Sequence, residues 1–269
     1  MPKGISIHIG LNKVDPLQYA GWDGTLNACE ADAKDMHELA KKQGFQAQHL
    51  LLTKNATTEN VITAISNAAR QLVKGDLLFL SYAGHGGQVN DTNFDEEDDR
   101  KDETWALFDR QLIDDELYAL WGRFKAGVRI LVLSDSCHSG SVSREIPGSI
   151  PGEPRARGMS LEVKRKVEDA HRALYRAIQV AHPGAETAKI RASVLLISGC
   201  MDDQTSKDGE HNGAFTGKLK QVWAGGKVQG NYRHFRDLIL AEMDEDQTPN
   251  YFFIGAANPA FESQNPFTI

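Results

Sequence analysis

Two residues that could perform covalent chemistry each follow a run of apolar residues. Cys137 comes shortly after the run VRILVLSD, and His85 lies within AGHGG, after DLLFLSYAG. A cysteine attacks as the thiolate and therefore needs a base within hydrogen-bonding reach. The pair predicts acyl transfer, with Cys137 as the nucleophile and His85 as the general acid/base. The alternative is a buried structural thiol and a solvated loop histidine, because cysteine is often buried in cores.

The residues around His85 and Cys137 could also supply an oxyanion hole. Glycines flank His85 and allow the backbone to turn sharply and to approach a substrate closely. The amides of Gly86 and Cys137 would then stabilise a developing oxyanion. His138 is a weaker candidate for the base, because the side chains of adjacent residues usually point apart. The histidine precedes the cysteine by 52 residues, close to the interval of caspase-type cysteine peptidases.

The pattern of apolar residues predicts the elements that would bring these residues together. Ile5, Ile7 and Ile9 alternate with polar residues as in a strand, whereas helical spacing begins near Leu26. Strands and helices alternate in this way along the chain. This predicts one α/β domain over residues 1–269, with a mostly parallel sheet flanked by helices on both faces. The chemistry of such sheets gathers beyond the carboxyl ends of the strands. Two segments are expected as flexible loops, at about 89–104 and about 141–160.

Composition and charge limit the classes of function. The net charge of −7 argues against nucleic-acid binding and favours basic partners. We expect no signal peptide and no membrane association, because the first residues are not apolar and no apolar run approaches about 18 residues. Cys29, Cys137 and Cys200 are odd in number, which fits a reducing compartment. A cytoplasmic location is therefore expected.

Four segments carry a family resemblance. They are GLNKVDPLQYAGWDGTLNACEADAKDM, SYAGHGGQ, DSCHSGS, and SGCMDDQTS with GAFT. In this order they resemble the metacaspases, which are caspase-like cysteine endopeptidases. The resemblance implies a caspase-like fold, Cys137 as the nucleophile and His85 as the general acid/base. Ala83 stands where the family usually has a serine, a difference that concerns the specificity pocket.

Two acidic residues are candidates for recognising a basic side chain. Asp135 lies two residues before Cys137, on the same side of a strand, and Asp32 lies three residues beyond Cys29, on the same face of a helix. The resemblance implies that Cys29, Asp32 and Asp135 line the pocket for the residue on the acyl side of the cut bond. Carboxylates there would bind Arg or Lys and oppose Asp. A solvated helix carboxylate and a strand-end cap are the alternatives.

The acidic run DTNFDEEDDRKDE, residues 91–103, raises the question of a metal site. Its partial match to an EF-hand loop lacks the required glycine and the final glutamate. The resemblance implies instead that Asp98 and Asp99 of this run join Asp114 and Asp115 around calcium, which prefers oxygen ligands. We expect no required cofactor and treat calcium as an optional ligand. The alternative is a solvated acidic loop.

These residues together predict a cysteine endopeptidase that cleaves after Arg or Lys in protein or peptide substrates. Residues 141–166 contain several Arg and Lys residues, so such an enzyme could process itself there. Two alternatives remain open. One is a non-catalytic caspase-like scaffold that binds basic peptides through the acidic cleft, and the other is a caspase-like peptidase that cleaves after Asp.

Overall fold

Strands and helices alternate along most of the chain, as the apolar periodicity predicts. The computed structural model describes residues 1–92, 101–137, 155–185, 188–200, 204 and 206–269. Its strands are β1 (Gly4–Gly10), β2 (Ala47–Leu52), β3 (Leu77–Ala83), β4 (Gly86–Asn90), β5 (Lys101–Ala106), β6 (Gln111–Ile113), β7 (Arg129–Asp135), β8 (Ser193–Ser198) and β9 (Asn250–Gly255). Its helices are α1 (Cys29–Lys42), α2 (Thr58–Gln71), α3 (Asp114–Trp121), α4 (Leu161–Ala181), α5 (Ala214–Trp223), α6 (Tyr232–Glu242) and α7 (Pro259–Ser263). Within these described ranges, no helix combines the length and apolarity that a membrane span requires.

The central sheet has six strands in the order β2-β1-β3-β7-β8-β9. The pairs from β2 to β8 are parallel, whereas β9 runs antiparallel to β8. Strands β3 and β7 pair directly, and Ala83 lies opposite Asp135 at their carboxyl ends. The segments that carry His85 and Cys137 therefore leave the sheet side by side.

Helices cover both faces of the sheet, and the alternation of side chains along each strand decides which residues face which layer. In β7, Ile130 and Val132 pack in the core beneath α2 and α3. Leu131 and Leu133 pack in the other core, beneath α1, α5 and α6. Asp135 continues the second set, so its side chain lies on the side of α1 and α5. The predicted α/β fold, with a mostly parallel sheet and helices on both faces, is confirmed.

A separate antiparallel sheet, β4-β5-β6, occupies part of the segment that is expected as a loop at about 89–104. The buried positions of β5 include Asp102 and Thr104, so the apolar alternation that predicts a strand is missing there. Distant side chains satisfy these polar groups, because Gln179 donates to Asp102 and the Thr104 hydroxyl donates to Gln111. The predicted loop is thus partly a sheet, because β5 depends on hydrogen bonds to residues that are distant in the sequence.

The loop that is expected at about 141–160 also differs over its last residues, 155–160, which we call the strap. The earlier part of that segment lies outside the described residues. In the strap, Gly158 pairs with Gly86 in a parallel bridge, and Arg157 is completely buried. Glycine and basic residues usually indicate a solvated loop. Here the opposite charges that allow burial come from remote parts of the chain.

Candidate active site

His85 lies just beyond β3, and a hydrogen bond through its ring fixes its orientation. Its Nε2 lies 2.9 Å from the carbonyl oxygen of Gly24. Because a carbonyl oxygen can only accept, Nε2 carries the proton and the neutral ring keeps a lone pair on Nδ1. Nδ1 is buried and has no hydrogen-bond partner among the described residues. The ring of Trp22 packs against His85 with 4.6 Å between the centroids and limits its rotation.

The environment of His85 keeps its ring neutral. Burial lowers the pKa of His85 from 6.5 to about 4, and the backbone groups of Gly24 and Gly158 oppose part of that shift. Because the backbone of Gly158 influences the pKa of His85, this part of the strap lies beside the ring. At neutral pH the imidazole can therefore accept a proton at Nδ1 from a group near that backbone.

Cys137 lies two residues beyond β7 and is buried. Its Sγ donates to the carbonyl oxygen of Gln204 at 2.6 Å. A side chain added at Gly158 would begin 3.6 Å from this sulfur, so Gly158 lies close to Sγ. His85 and Cys137, which follow two neighbouring strands, thus both lie against the same residue of the strap.

The amides of Gly86 and Cys137 donate to a single oxygen, the carbonyl oxygen of Arg157, at 3.0 and 3.1 Å. Two backbone N–H groups that converge on one carbonyl oxygen can stabilise the oxyanion of an acyl-transfer reaction. The structure therefore brings together the two amides that the sequence proposes for this role. The carbonyl group between them belongs to the chain itself.

The side chain of Arg157 is buried among three carboxylates, in a cavity that we call the acidic pocket. Its Nη2 donates to Asp32 at 2.6 Å and to Asp208 at 2.9 Å, and its Nη1 lies 3.0 Å from Asp135 Oδ2. A side chain at Gly213 would begin 2.4 Å from the Cζ of Arg157, so a glycine is needed on that wall. The pocket contains the two carboxylates that the sequence proposes and one, Asp208, that it does not.

The N-terminus of α5 holds two of these carboxylates in place. The amide of Gly213 donates to Asp32 at 3.1 Å. Thr216 donates to Asp135 through its amide at 3.0 Å and through its hydroxyl at 2.8 Å. Helix N-termini carry unpaired amides and positive partial charge, so they stabilise carboxylates. Asp208 is held separately, by two amides just before α1.

The acidic pocket carries more negative than positive charge. Burial raises the pKa of Asp32 to about 6; Arg157 opposes this shift and repulsion by Asp135 adds to it. Burial disfavours the charged form of Arg157, but Asp135 and the other acidic groups outweigh burial and hold its pKa well above the usual range. The guanidinium therefore stays charged. Without it, three buried carboxylates would repel one another, so the pocket prefers a cation.

Cys29 lies beside the acidic pocket and not at the reacting centre. Its side chain packs with Leu26 and Ala83. Burial holds the pKa of the Cys29 thiol well above its usual range, so the thiol is neutral. Ala83, where the chain differs from the metacaspase pattern, belongs to the same buried cluster. These side chains form an apolar wall next to the carboxylates.

The backbone of the strap is paired on both sides of one peptide bond. The amide of Arg157 donates to the carbonyl oxygen of Ser206 at 2.9 Å, and the amide of Met159 donates to that of Gly86 at 3.1 Å. Between them lies the bond from Arg157 to Gly158, beside the sulfur and the imidazole. The strap therefore lies in the site with backbone hydrogen bonds on both sides of this peptide bond, as peptides do when they pair with a sheet edge.

Of the four proposed calcium ligands, the structure describes Asp114 and Asp115. Asp98 and Asp99 lie outside the described residues. The carboxylate of Asp114 accepts hydrogen bonds from the amides of Glu103 at 3.1 Å and Asp115 at 3.0 Å. Asp114 is also the first residue of α3, and the N-terminus of a helix stabilises a carboxylate. In the part of the chain that the structure describes, no group of three or more His, Cys, Asp or Glu residues could hold a metal ion. Those residues therefore supply at most part of a calcium site.

Three features of the site escape sequence reasoning. Gly24 acts through its carbonyl group, which every residue type possesses. Asp208 lies in a polar segment without periodicity. Arg157 has a partial signal, because it belongs to the basic run in which self-processing is expected. His138, the weaker candidate for the base, lies outside the described residues.

Comparisons of the sequence find peptidase relatives over most of the chain. A family model described as "Caspase domain" matches residues 12–264. Metacaspase-1A of Aspergillus fumigatus is 30% identical over 264 residues, 85% of this chain and 63% of that protein. Metacaspase-1 of Kluyveromyces lactis is 27% identical over 244 residues, 77% of this chain and 56% of that protein. The chain spans about three fifths of the length of these curated relatives.

Two solved structures are similar to this fold. The crystal structure of protein GSU0716 from Geobacter sulfurreducens matches with a TM-score of 0.88 and 51% identity, over 99% of each chain. Caspase-1 from Spodoptera frugiperda matches with a TM-score of 0.56 and 10% identity, over 94% of this chain and 86% of that one. The second likeness concerns the fold alone, and it shows that the sheet is of the caspase type.

Proposed function

This chain belongs to the caspase-domain family of cysteine peptidases, and from that membership we propose that it is an endopeptidase that cuts after arginine or lysine. Cys137 is the nucleophile and His85 the general acid/base. The amides of Gly86 and Cys137 form the oxyanion hole. The acidic pocket receives the basic side chain on the acyl side of the cut bond. The substrates are proteins or peptides with accessible basic residues.

The observation that carries this proposal is the position of Arg157. Its guanidinium fills the acidic pocket while its carbonyl oxygen accepts both oxyanion-hole amides. One residue thus occupies the place of the recognised side chain and the place of the reacting carbonyl group at the same time. Proximity and orientation of this kind supply much of the rate acceleration in enzymes.

The reaction begins when the Cys137 thiol gives its proton to Nδ1 of His85 and the sulfur attacks the carbonyl carbon. The negative charge that develops on the oxygen is stabilised by the amides of Gly86 and Cys137. The C–N bond then breaks, and Nδ1–H of His85 protonates the leaving amine. A water molecule, deprotonated by His85, attacks the acyl-cysteine and releases the acid and the thiol. The bond from Nε2 to Gly24 keeps Nδ1 directed at the reacting atoms throughout.

The geometry of the acidic pocket favours arginine over other residues. The two terminal nitrogens of Arg157 reach carboxylates on different walls, Asp135 on one side and Asp32 with Asp208 on the other. A lysine has one nitrogen and matches this arrangement less completely. An aspartate would add a fourth negative charge, which argues against cleavage after Asp. A scaffold that only binds basic peptides would not need the oxyanion-hole amides.

The same placement identifies the bond between Arg157 and Gly158 as the expected site of self-cleavage. The strap presents this bond to Cys137 and His85 without any partner molecule. Cleavage there would divide the chain into residues 1–157 and 158–269. We propose that the enzyme makes this cut in itself before it acts on other substrates.

Intact-mass spectrometry tests the proposal, with the wild-type chain and the Cys137→Ala variant incubated with and without calcium. We expect the wild type to give fragments that end at Arg157 and begin at Gly158, and Cys137→Ala to stay whole. Cys200→Ser is the control for the loss of a buried thiol. The Cys200 thiol donates to the carbonyl oxygen of Ser136 at 3.4 Å, a bond that a serine hydroxyl can also make, so this variant should cut like the wild type.

Two results would refute the proposal: cleavage that persists in Cys137→Ala, or cleavage of the wild type after non-basic residues only. The calcium arm tests whether the set Asp98, Asp99, Asp114 and Asp115 contributes to activity. Hydrolysis of Arg-ended fluorogenic peptides by the cut enzyme, and its loss in Cys137→Ala, would separate an endopeptidase from a peptide-binding scaffold.

A further inference from the structure

On the other side of the cut bond, the side chain of Met159 lies in an apolar pocket. Met159 is the second residue after Arg157, so it belongs to the leaving part of the substrate. Only 2% of its surface is exposed. It packs with Val14, Tyr19 and Ala106, and with Val167 of α4. We call this cavity the Met159 pocket.

The walls of the Met159 pocket are tied to the catalytic loop. The amide of Ala106 donates to the carbonyl oxygen of His85 at 2.9 Å. The Tyr19 hydroxyl donates to the carbonyl oxygen of Leu107 at 2.7 Å. Trp22, which packs on His85, also packs against this cluster. The pocket therefore keeps a fixed position relative to the general acid/base.

A glycine provides the space in which Met159 lies. A side chain at Gly87 would begin 2.2 Å from the Cε of Met159 and 2.5 Å from the Oε1 of Gln111. Such distances are far below van der Waals contact. A long apolar side chain can therefore enter the pocket only if position 87 has no side chain. This requirement explains why Gly87 is a glycine.

The backbone of Gly86 fixes the spacing between the two pockets. Its amide donates to the carbonyl oxygen of Arg157, and its carbonyl oxygen accepts the amide of Met159. A peptide that places an arginine in the acidic pocket and its carbonyl group in the oxyanion hole is therefore in register with both bonds. Its second residue on the leaving side then faces the Met159 pocket.

We propose that the Met159 pocket is a substrate subsite that selects an apolar side chain two residues after the cut bond. This inference rests on the proposed endopeptidase function and names a second element of its specificity. The recognised sequence then has three positions: an arginine before the cut bond, a residue of nearly any type after it, and an apolar residue next. Gly158 fits the middle position, where an added side chain would meet Cys137 only at ordinary contact distances of 3.4 Å or more.

The subsite remains built after self-cleavage. Helix α4 stays attached to the small sheet through Gln179, whose side-chain amide donates to the carbonyl oxygen of Asn90 at 2.9 Å. Tyr175 is buried at the same interface. Only Gly158 and Met159 precede Ser160, the N-cap of α4, so these two residues can leave the site without unfolding the helix. An incoming substrate can then place its own side chain against Val167.

Quenched-fluorescence peptides of the form Arg-Gly-X, with X as Met, Leu, Ala or Asp, test the subsite in the self-cleaved wild type. We expect similar kcat/KM for Met and Leu, a fall of about tenfold for Ala and a larger fall for Asp, because most of the pocket wall is apolar and the seated side chain is shielded from water. Equal kcat/KM for all four peptides would overturn the subsite and leave the cleavage after Arg intact. Failure to cut any Arg peptide would overturn both proposals.

A variant of the pocket gives an independent readout. Val14→Ala enlarges the cavity, so the ratio of kcat/KM for X as Phe to X as Met should rise severalfold. Val73→Ala makes the same substitution at an exposed residue of the chain and should leave the ratio unchanged. A change of all kcat/KM values by one common factor in Val14→Ala, with the melting temperature retained, would contradict the subsite. The wild-type peptide series decides the question if this variant does not fold.

Discussion

At the scale of single residues, the reactivity of the site depends on which nitrogen of His85 carries the proton. Gly24 accepts from Nε2, and burial holds the pKa of the ring at about 4. Both effects keep Nδ1 unprotonated at neutral pH, beside the bond that it would help to break. A solvated histidine would be half protonated near 6.5 and would lose the capacity to accept the thiol proton below that pH.

Self-cleavage should therefore persist in mildly acidic solution. The strap is seated and the ring is buried when this reaction occurs, so the acidic midpoint of the rate should lie well below 6.5 and near 4. The measurement is the loss of intact chain by mass spectrometry across about pH 3 to about pH 8, with circular dichroism at each pH to establish that the fold is retained. A midpoint at or above 6.5 in the folded chain would contradict this assignment.

At the scale of elements, the strap is held by charge and by backbone pairing, since it is neither helix nor strand. Arg157 contributes the cation that three buried carboxylates require. Removal of one partner from a buried ionic group leaves the others without compensation, which commonly costs about 3 to 5 kcal/mol. The strap is thus part of the folded core and also contains the proposed cleavage site.

Arg157→Gln in the Cys137→Ala chain, which stays uncut, should lower the free energy of unfolding by about 3 to 5 kcal/mol at neutral pH. The loss should be smaller in acid. Without Arg157, the pKa of Asp32, already raised to about 6, would rise further. As the pH falls, Asp32 takes up a proton in the folded chain, and the free energy of unfolding then increases because one of the repelling charges is lost. Urea unfolding near pH 7 and near pH 5 measures both effects.

Two variants control this comparison. Arg157→Lys keeps a cation in the pocket and should lose less stability than Arg157→Gln. Arg172→Gln removes an exposed arginine from α4 and should lose little, because surface ion pairs contribute little. An Arg157→Gln chain as stable as Arg172→Gln at neutral pH would show that the acidic pocket does not depend on its cation.

Some residues of the site can be predicted from local sequence patterns, and others cannot. His85 and Cys137 follow apolar runs, so the rule that chemistry gathers beyond the ends of parallel strands brings them together. Asp135 follows from the alternation of side chains along β7. Arg157 does not follow from any local pattern, because its partner Asp32 lies 125 residues away in sequence. Strand β5 is missed for a similar reason, since its buried face is polar and its partners are distant.

At the scale of the whole molecule, the site is assembled from both parts that self-cleavage would create. The first part supplies β3, β7, Asp32 and Asp135, and the second supplies β8, α5 and Asp208. Strand β8 pairs with β7 along its full length, and the core beneath α1 and α5 contains residues from both parts. A cut at one loop bond leaves all of these contacts in place.

The self-cleaved enzyme should therefore remain a single particle. Native size-exclusion chromatography should show one peak at the volume of the uncut Cys137→Ala chain, while denaturing electrophoresis of that peak shows two fragments. Shared sheets and cores of this kind resemble obligate interfaces, which do not separate at low concentration. Two native peaks, or loss of peptide hydrolysis on dilution, would contradict the shared architecture.

Arg157 reaches the acidic pocket along its own backbone and never has to diffuse there. A tethered group competes at an effective concentration on the order of millimolar, so an incoming peptide must outcompete a rival that dilution cannot remove. The abundance of the protein should then have no influence on the proposed self-cleavage. The proposed first cut is intramolecular, so its rate constant should be the same in a dilute and in a concentrated solution of the protein.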